Sequence, residues 1–149
     1  MKKVISLLLV TVLCFVLTGC GSEKAMTTKK FTETMSKEGY QLNDISEQYK
    51  NNQLIDQAVV ASKEHHQIEL YISKDAKKSE EYFQIDLQIF GEKGNNTVKE
   101  ETTKNTHTYS IIKNGKYIYI SRIDNTLLFA YVNENEKTTV DKLIDKLGY

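Results

Sequence analysis

Between Thr106 and Val132 the chain reads "THTYSIIK-NG-KYIYISRI-DN-TLLFAYV", three alternating stretches separated by the pairs Asn114-Gly115 and Asp124-Asn125. No other feature restricts the fold so tightly. Asn-Gly between alternating segments specifies a two-residue hairpin, because both turn positions need positive φ. Side chains alternate between faces along a strand, so the turn also fixes register. Lys113 then pairs with Lys116, Ile111 with Ile118 and Tyr109 with Ile120. The Asp124-Asn125 turn sets Ile120 against Phe129 and Ile118 against Tyr131. One face of this meander carries Tyr109, Ile111, Ile118, Ile120, Leu127, Phe129 and Tyr131, the expected core. The other carries Ile112, Tyr117, Tyr119, Leu128, Ala130 and Val132, interrupted by Ser110 and Ser121.

Upstream, "TTKKFTETMSKEGY" predicts a helix capped by Thr27 or Thr28, with Phe31 and Met35 on one face and Gly39 as its stop. "QLNDI" predicts a short strand, "SEQYKNNQ" a polar loop and "LIDQAVVASK" a second strand. "QIELYI" alternates, with Ile68, Leu70 and Ile72 opposite Gln67, Glu69 and Tyr71. "SKDAKKSEEYFQIDLQIFG" predicts a second helix capped by Ser73 or Asp75. Its apolar positions are Ala76, Phe83, Leu87 and Phe90, and Gly91 ends it. Residues 91–105 lack periodicity and read as one exposed, mobile loop. "EKTTVDKLIDKLGY" closes the chain as a helix with Val140, Leu143, Ile144 and Leu147 as its apolar stripe.

The resulting order is αβββ-αβββ-α. The fold class is α+β, an antiparallel sheet with helices largely on one face. "KEGY" at 37–40 and "KLGY" at 146–149 each end a helix that begins near a Thr-Thr pair, so a duplicated αβββ unit is an alternative organisation.

The N-terminus addresses compartment rather than fold. Lys2 and Lys3 precede the uncharged run "VISLLLVTVLCFVLTG", the layout of an export signal. At roughly 16 residues the run is shorter than the roughly 20 that span a bilayer. Leu17, Thr18, Gly19 and Cys20 follow at its end, and this tetrad resembles the lipobox of bacterial lipoproteins. The resemblance implies cleavage between Gly19 and Cys20 and a diacylglyceryl group on the Cys20 thiol. Two acyl chains anchor stably because each buried methylene contributes about 0.8 kcal/mol. Residues 1–19 are then a cleaved signal peptide, 20–26 the lipidated cysteine and a polar tether, and 27–149 one extracytoplasmic domain. At about 3.5 Å per residue the tether reaches roughly 25 Å.

The chain has two cysteines. On this reading Cys14 leaves with the signal and Cys20 carries lipid, so no thiol remains for a disulfide, a nucleophile or zinc. Lys plus Arg and Asp plus Glu both number 20. Loss of Lys2 and Lys3 tips the mature chain slightly acidic, which offers nucleic acid no basic patch.

"NGKYIYISRIDNTLLFAYV" followed by "DKLIDKLGY", with "TMSKEGY" and "QIELYISKDA" upstream, resembles small uncharacterised lipoproteins of low-GC Gram-positive bacteria. The likeness spans most of residues 27–149. Its motifs are turns and helix caps, so it implies a fold and a location, with no catalytic residue to carry over.

Chemistry-bearing residues are sparse. His65, His66 and His107 are the only imidazoles. Neighbours on a strand point to opposite faces, and no metal-ligand spacing accompanies them; the turn should leave His65 and His66 solvated. Glu80-Glu81 and Asp141 with Asp145 sit among lysines, as on solvated helix faces. Arg122, the single arginine, falls on the core-side set opposite Leu127 and near His107, where it should snorkel or pair with a nearby acid rather than bind a ligand, for which a carboxylate or phosphate would suit its planar fork. No catalytic residue, metal or cofactor is expected.

If helices cover only the core side, then Ile112, Tyr117, Tyr119, Leu128, Ala130 and Val132 form an exposed binding face. The expected function is a non-catalytic protein- or peptide-binding module, anchored at the membrane through Cys20 and partnered by an envelope protein or peptide. A small-ligand or solute-binding accessory would instead show a lined pocket. An inhibitor or self-protection lipoprotein would have an exported toxin or hydrolase as partner. The fragment "VLCFVLTG" also resembles peptide signals that some Gram-positive bacteria release.

Overall fold

The computed structural model describes residues 24–92 and 97–149; the lipobox and the signal segment lie outside them. Helix α1 (Thr28–Lys37) opens at Thr27, whose hydroxyl accepts from Lys30 N at 3.2 Å. Gly39 then takes φ +82° and turns the chain into β1 (Gln41–Asp44). One 3-10 turn (Ser46–Tyr49) interrupts the expected polar loop. β2 (Ile55–Lys63) and β3 (His66–Ser73) form a hairpin through Glu64, at φ 53°. Ser73 belongs to β3, and Asp75 caps α2 (Ala76–Phe90) by accepting from Lys78 N at 2.8 Å.

β4 (Thr97–Thr102), β5 (Thr106–Lys113), β6 (Lys116–Ile123) and β7 (Thr126–Asn133) follow, and α3 (Lys137–Leu147) ends at Gly148. Asn114 and Gly115 both take positive φ, 51° and 71°, and the register of β5, β6 and β7 is the one the turns predict, from Lys113 with Lys116 through Ile118 with Tyr131.

All pairings are antiparallel, in the order β1-β2-β3-β7-β6-β5-β4. The chain is therefore α+β, and the second half carries a fourth strand. β4 arises inside the segment expected to be a loop, since "TVKEET" has no apolar alternation to announce it. Pairing with β5 supplies its backbone partners, and its charged side chains suit a sheet edge that must not recruit another chain.

Helices lie on both faces. α1 and α3 pack together on one, over Ala61, Ile68, Leu70, Tyr117, Tyr119, Leu128, Ala130 and Val132. α2 lies on the other, over Ala58, Tyr71, Tyr109, Ile111, Ile118, Ile120, Leu127 and Phe129. Two of the three α-helices among the described residues thus share a face, and the third closes the side expected to be the core. Met26, placed in the tether by its sequence position, is buried with α1 and α3, and its N–H reaches Thr126 Oγ1 at 3.4 Å.

Candidate functional site

The tyrosine-bearing face is core. Tyr117 and Tyr119 are 2% and 5% exposed, Leu128, Ala130 and Val132 are fully buried, and Ile112 is half-buried against them. The expectation of an exposed binding face is corrected here. Its apolar side chains are what the stripes Phe31–Met35 and Val140–Leu143–Ile144–Leu147 cover. Only the polar tips reach outward: Tyr117 donates to Asp141 Oδ1 at 2.8 Å, and Tyr117, Tyr119 and Tyr149 edge a cleft of about 270 Å³ along α3. Asp141 is therefore bonded by Tyr117 and ion-paired with Lys137, rather than simply solvated.

The imidazoles separate. His65 is exposed on its turn. His66 begins β3 half-buried, with Nδ1 at 3.0 Å from Tyr40 Oη and Nε2 at 3.2 Å from Glu136, so it is not the solvated side chain expected. His107 stacks on Phe83 at 4.1 Å and lies 3.3 Å from Glu80. Of the two outcomes its position allows, Arg122 pairs with an acid: Nε is 2.7 Å from Glu80 Oε2, and Nη1 donates to Asp124 O at 3.1 Å. Burial would raise the Glu80 carboxyl, but hydrogen bonds from Gln84 and His107 and the Arg122 charge hold it below the ordinary value. Among the described residues no three His, Cys, Asp or Glu side chains group as metal ligands would.

The concave feature with unusual chemistry lies at the other end of α2. Glu69, Tyr71, Tyr82, Asp86, Phe90 and Phe129 line a cavity of about 210 Å³ between α2, β3 and β7. β3 places Glu69 and Tyr71 on the α2 side, and Glu69 pairs across the sheet with Phe129. Tyr71 meets Tyr82 edge-on at 5.0 Å and Tyr49 at 5.7 Å, while Phe90 tilts against Phe129 at 5.1 Å. Glu69 and Asp86 are only 9% and 8% exposed. Burial, reinforced by the Glu69 charge, pushes the Asp86 carboxyl up to about 7. Burial and the adjacent Glu69 likewise raise the Tyr71 hydroxyl, so it stays a donor.

This site was missed in the sequence, although a signal for it exists. The buried positions of α2 are Ser79, Phe83 and Asp86, which places an acid on the helix stripe that faces the sheet. The apolar spacing of α2 runs through the neighbouring Leu87 and so masks Asp86.

No protein-family model matches the chain, and no curated protein matches its sequence. Among solved structures it is similar to a protein from Thermotoga maritima described as a GTP binding regulator. That likeness has 13% identity over 82% of this chain and 84% of the other, with a TM-score of 0.49. A resemblance so distant carries no functional meaning for this chain.

Proposed function

We propose that this protein is a membrane-anchored extracytoplasmic lipoprotein, held by lipid on Cys20, whose domain is a non-catalytic binding module for a protein or peptide of the cell envelope. The lipobox-like tetrad after a short apolar run supports the location, as does the resemblance to small lipoproteins of low-GC Gram-positive bacteria. The observation that carries the binding role is the acid-floored aromatic cleft beneath α2. Ile85, Ile89 and Tyr131, the last expected in the core, are exposed at 42%, 62% and 39%. Tyr131 touches the Phe90 wall of the cleft, with ring centroids 6.4 Å apart, and Ile85 and Ile89 immediately precede two of its three α2 residues, Asp86 and Phe90. Apolar side chains around a polar recess are how a peptide-accepting surface is built. The recess itself favours a second reading, a small-ligand accessory lipoprotein, because its volume suits a compact group.

The test is photo-crosslinking in a Gram-positive host, with the crosslinking residue at Ile89 or, as control, at Glu33 on α1. A parallel strain carries Cys20→Ser. The expected result is membrane-bound protein released by Cys20→Ser, with one recurrent partner captured from position 89 and not from 33. Soluble wild-type protein would overturn the anchor. An anchored protein with no partner specific to position 89 would overturn the protein-binding reading in favour of the small ligand.

A further inference from the structure

The two ends of α2 treat acids differently. At one end Glu80 is matched by Arg122 and His107. At the other, Glu69 and Asp86 share a recess, and among the described residues neither forms an ion pair. Burying like charges together is unfavourable unless something compensates them. Glu69 is satisfied in part, accepting from the Tyr71 hydroxyl and the Gln67 amide. Asp86 accepts no hydrogen bond among the described residues, although it is more than nine-tenths buried and lines the cavity. The remaining walls are aromatic, and ring faces attract cations.

These features select among cations. A quaternary ammonium has no N–H and would leave the Asp86 oxygens unfilled. A planar guanidinium stacks flat on a ring face, and within each wall the rings here tilt against one another, at 62° and 43°. A primary ammonium is compact, donates three hydrogen bonds and trails an alkyl stem that suits apolar walls. We infer that the recess between α2 and β3 receives a primary alkylammonium group, its N–H donors meeting Asp86 and its stem lying between Tyr71–Tyr82 and Phe90–Phe129. The ammonium belongs either to a lysine side chain of a bound polypeptide or to a free amine. The inference rests on the cleft being the binding site proposed above. The elevated Asp86 carboxyl is consistent with it, since an arriving cation would restore the ionised form.

The test uses the full chain in detergent micelles at pH 8, where Asp86 is ionised. The probes are n-butylammonium, tetramethylammonium and the peptides acetyl-Leu-Lys-Leu-amide and acetyl-Leu-norleucine-Leu-amide. Binding is read from the Asp86 carboxyl carbon in the wild-type protein, which needs no variant, and from affinities in Asp86→Asn. Saturable n-butylammonium binding is expected to shift that carbon, with at least tenfold weaker binding of tetramethylammonium and at least tenfold loss in Asp86→Asn. Tetramethylammonium binding as tightly, or an unaffected Asp86→Asn, would overturn the inference. A lysine peptide at least tenfold tighter than n-butylammonium, with that margin lost in Ile89→Ser, identifies a polypeptide source; equal affinities identify a free amine. A norleucine peptide that binds as well as the lysine peptide would overturn the ammonium while leaving a peptide-binding module intact. No binding by any probe would overturn both.

Discussion

The two faces of this sheet are built on opposite principles. Beneath α1 and α3 the interior is closed: Phe31, Met35, Ile68, Leu128, Ala130, Val132 and Val140 are fully buried, and tyrosine hydroxyls reach polar partners at the rim. Beneath α2 the apolar floor is similar, but charged groups enter it, where the closed face admits only hydroxyls such as Ser110 and Ser121. Glu80, His107 and Arg122 close one end as a matched cluster, and Glu69 with Asp86 leave the other end unmatched. One helix cannot cover a face of seven strands, and α2 leaves part of its side open. The comparison teaches that the tyrosine-bearing side serves stability, while chemistry has collected where coverage is incomplete.

The largest break in that comparison should come from the closed face. Phe31→Ala removes a fully buried aromatic ring and should cost about 3–5 kcal/mol in denaturant unfolding; a loss under 1 kcal/mol would mean that α1 is not integral to the core.

Asp86→Asn probes the open face through pH. The ordinary carboxyl value is 3.8 and the folded one about 7, so between these values the folded protein retains a proton that the unfolded chain has released. Stability should therefore fall as pH rises from about 4 to about 7, by up to about 4 kcal/mol, and stay low above that. Asp86→Asn should abolish this decline and exceed the wild type in stability at pH 8. Parallel urea titrations of the two proteins at pH 4.5 and pH 8 decide it, and matching slopes would contradict the burial of an unmatched acid.

Tyr117→Phe removes the hydroxyl that holds Asp141 at the rim of the closed face. It should destabilise by about 1–2 kcal/mol, a loss an exposed tyrosine would not show. Gly115→Ala meets no neighbour within 4 Å, yet its φ of 71° disfavours a side chain. About 1 kcal/mol is expected from the backbone alone, measured by thermal unfolding. Ile89→Ser, on the open side, should change stability by less than about 0.5 kcal/mol while weakening capture of a partner. A large loss of stability there would mean that Ile89 packs in the fold rather than facing a ligand.

Much of the architecture was legible locally. Thr27 and Asp75 cap the helices their positions predict, Gly39 and Gly148 take positive φ after α1 and α3, and Asn114-Gly115 sets a register that the strands follow residue by residue. Arg122 was legible in part: its side of the sheet and its nearness to His107 follow from register, but its partner Glu80, on α2, does not. β4 was not, because a polar edge strand owes its existence to the backbone of β5 rather than to its own pattern. Nor was the candidate site, whose acids come from β3 and α2 and lie 17 positions apart in the chain.

The sequence by itself determined turns, caps, strand register and the division of each strand into two sides, because these depend on residues a few positions apart. Only the tertiary structure decided which side each helix would cover. Alternation shows that Tyr117 and Ile118 point oppositely, but both sides of this meander are apolar enough to be core. The choice was made by the docking of α1 and α3 together on one side and of α2 alone on the other. That same docking placed Asp86 against Glu69, where burial rather than residue type gives the acid its character.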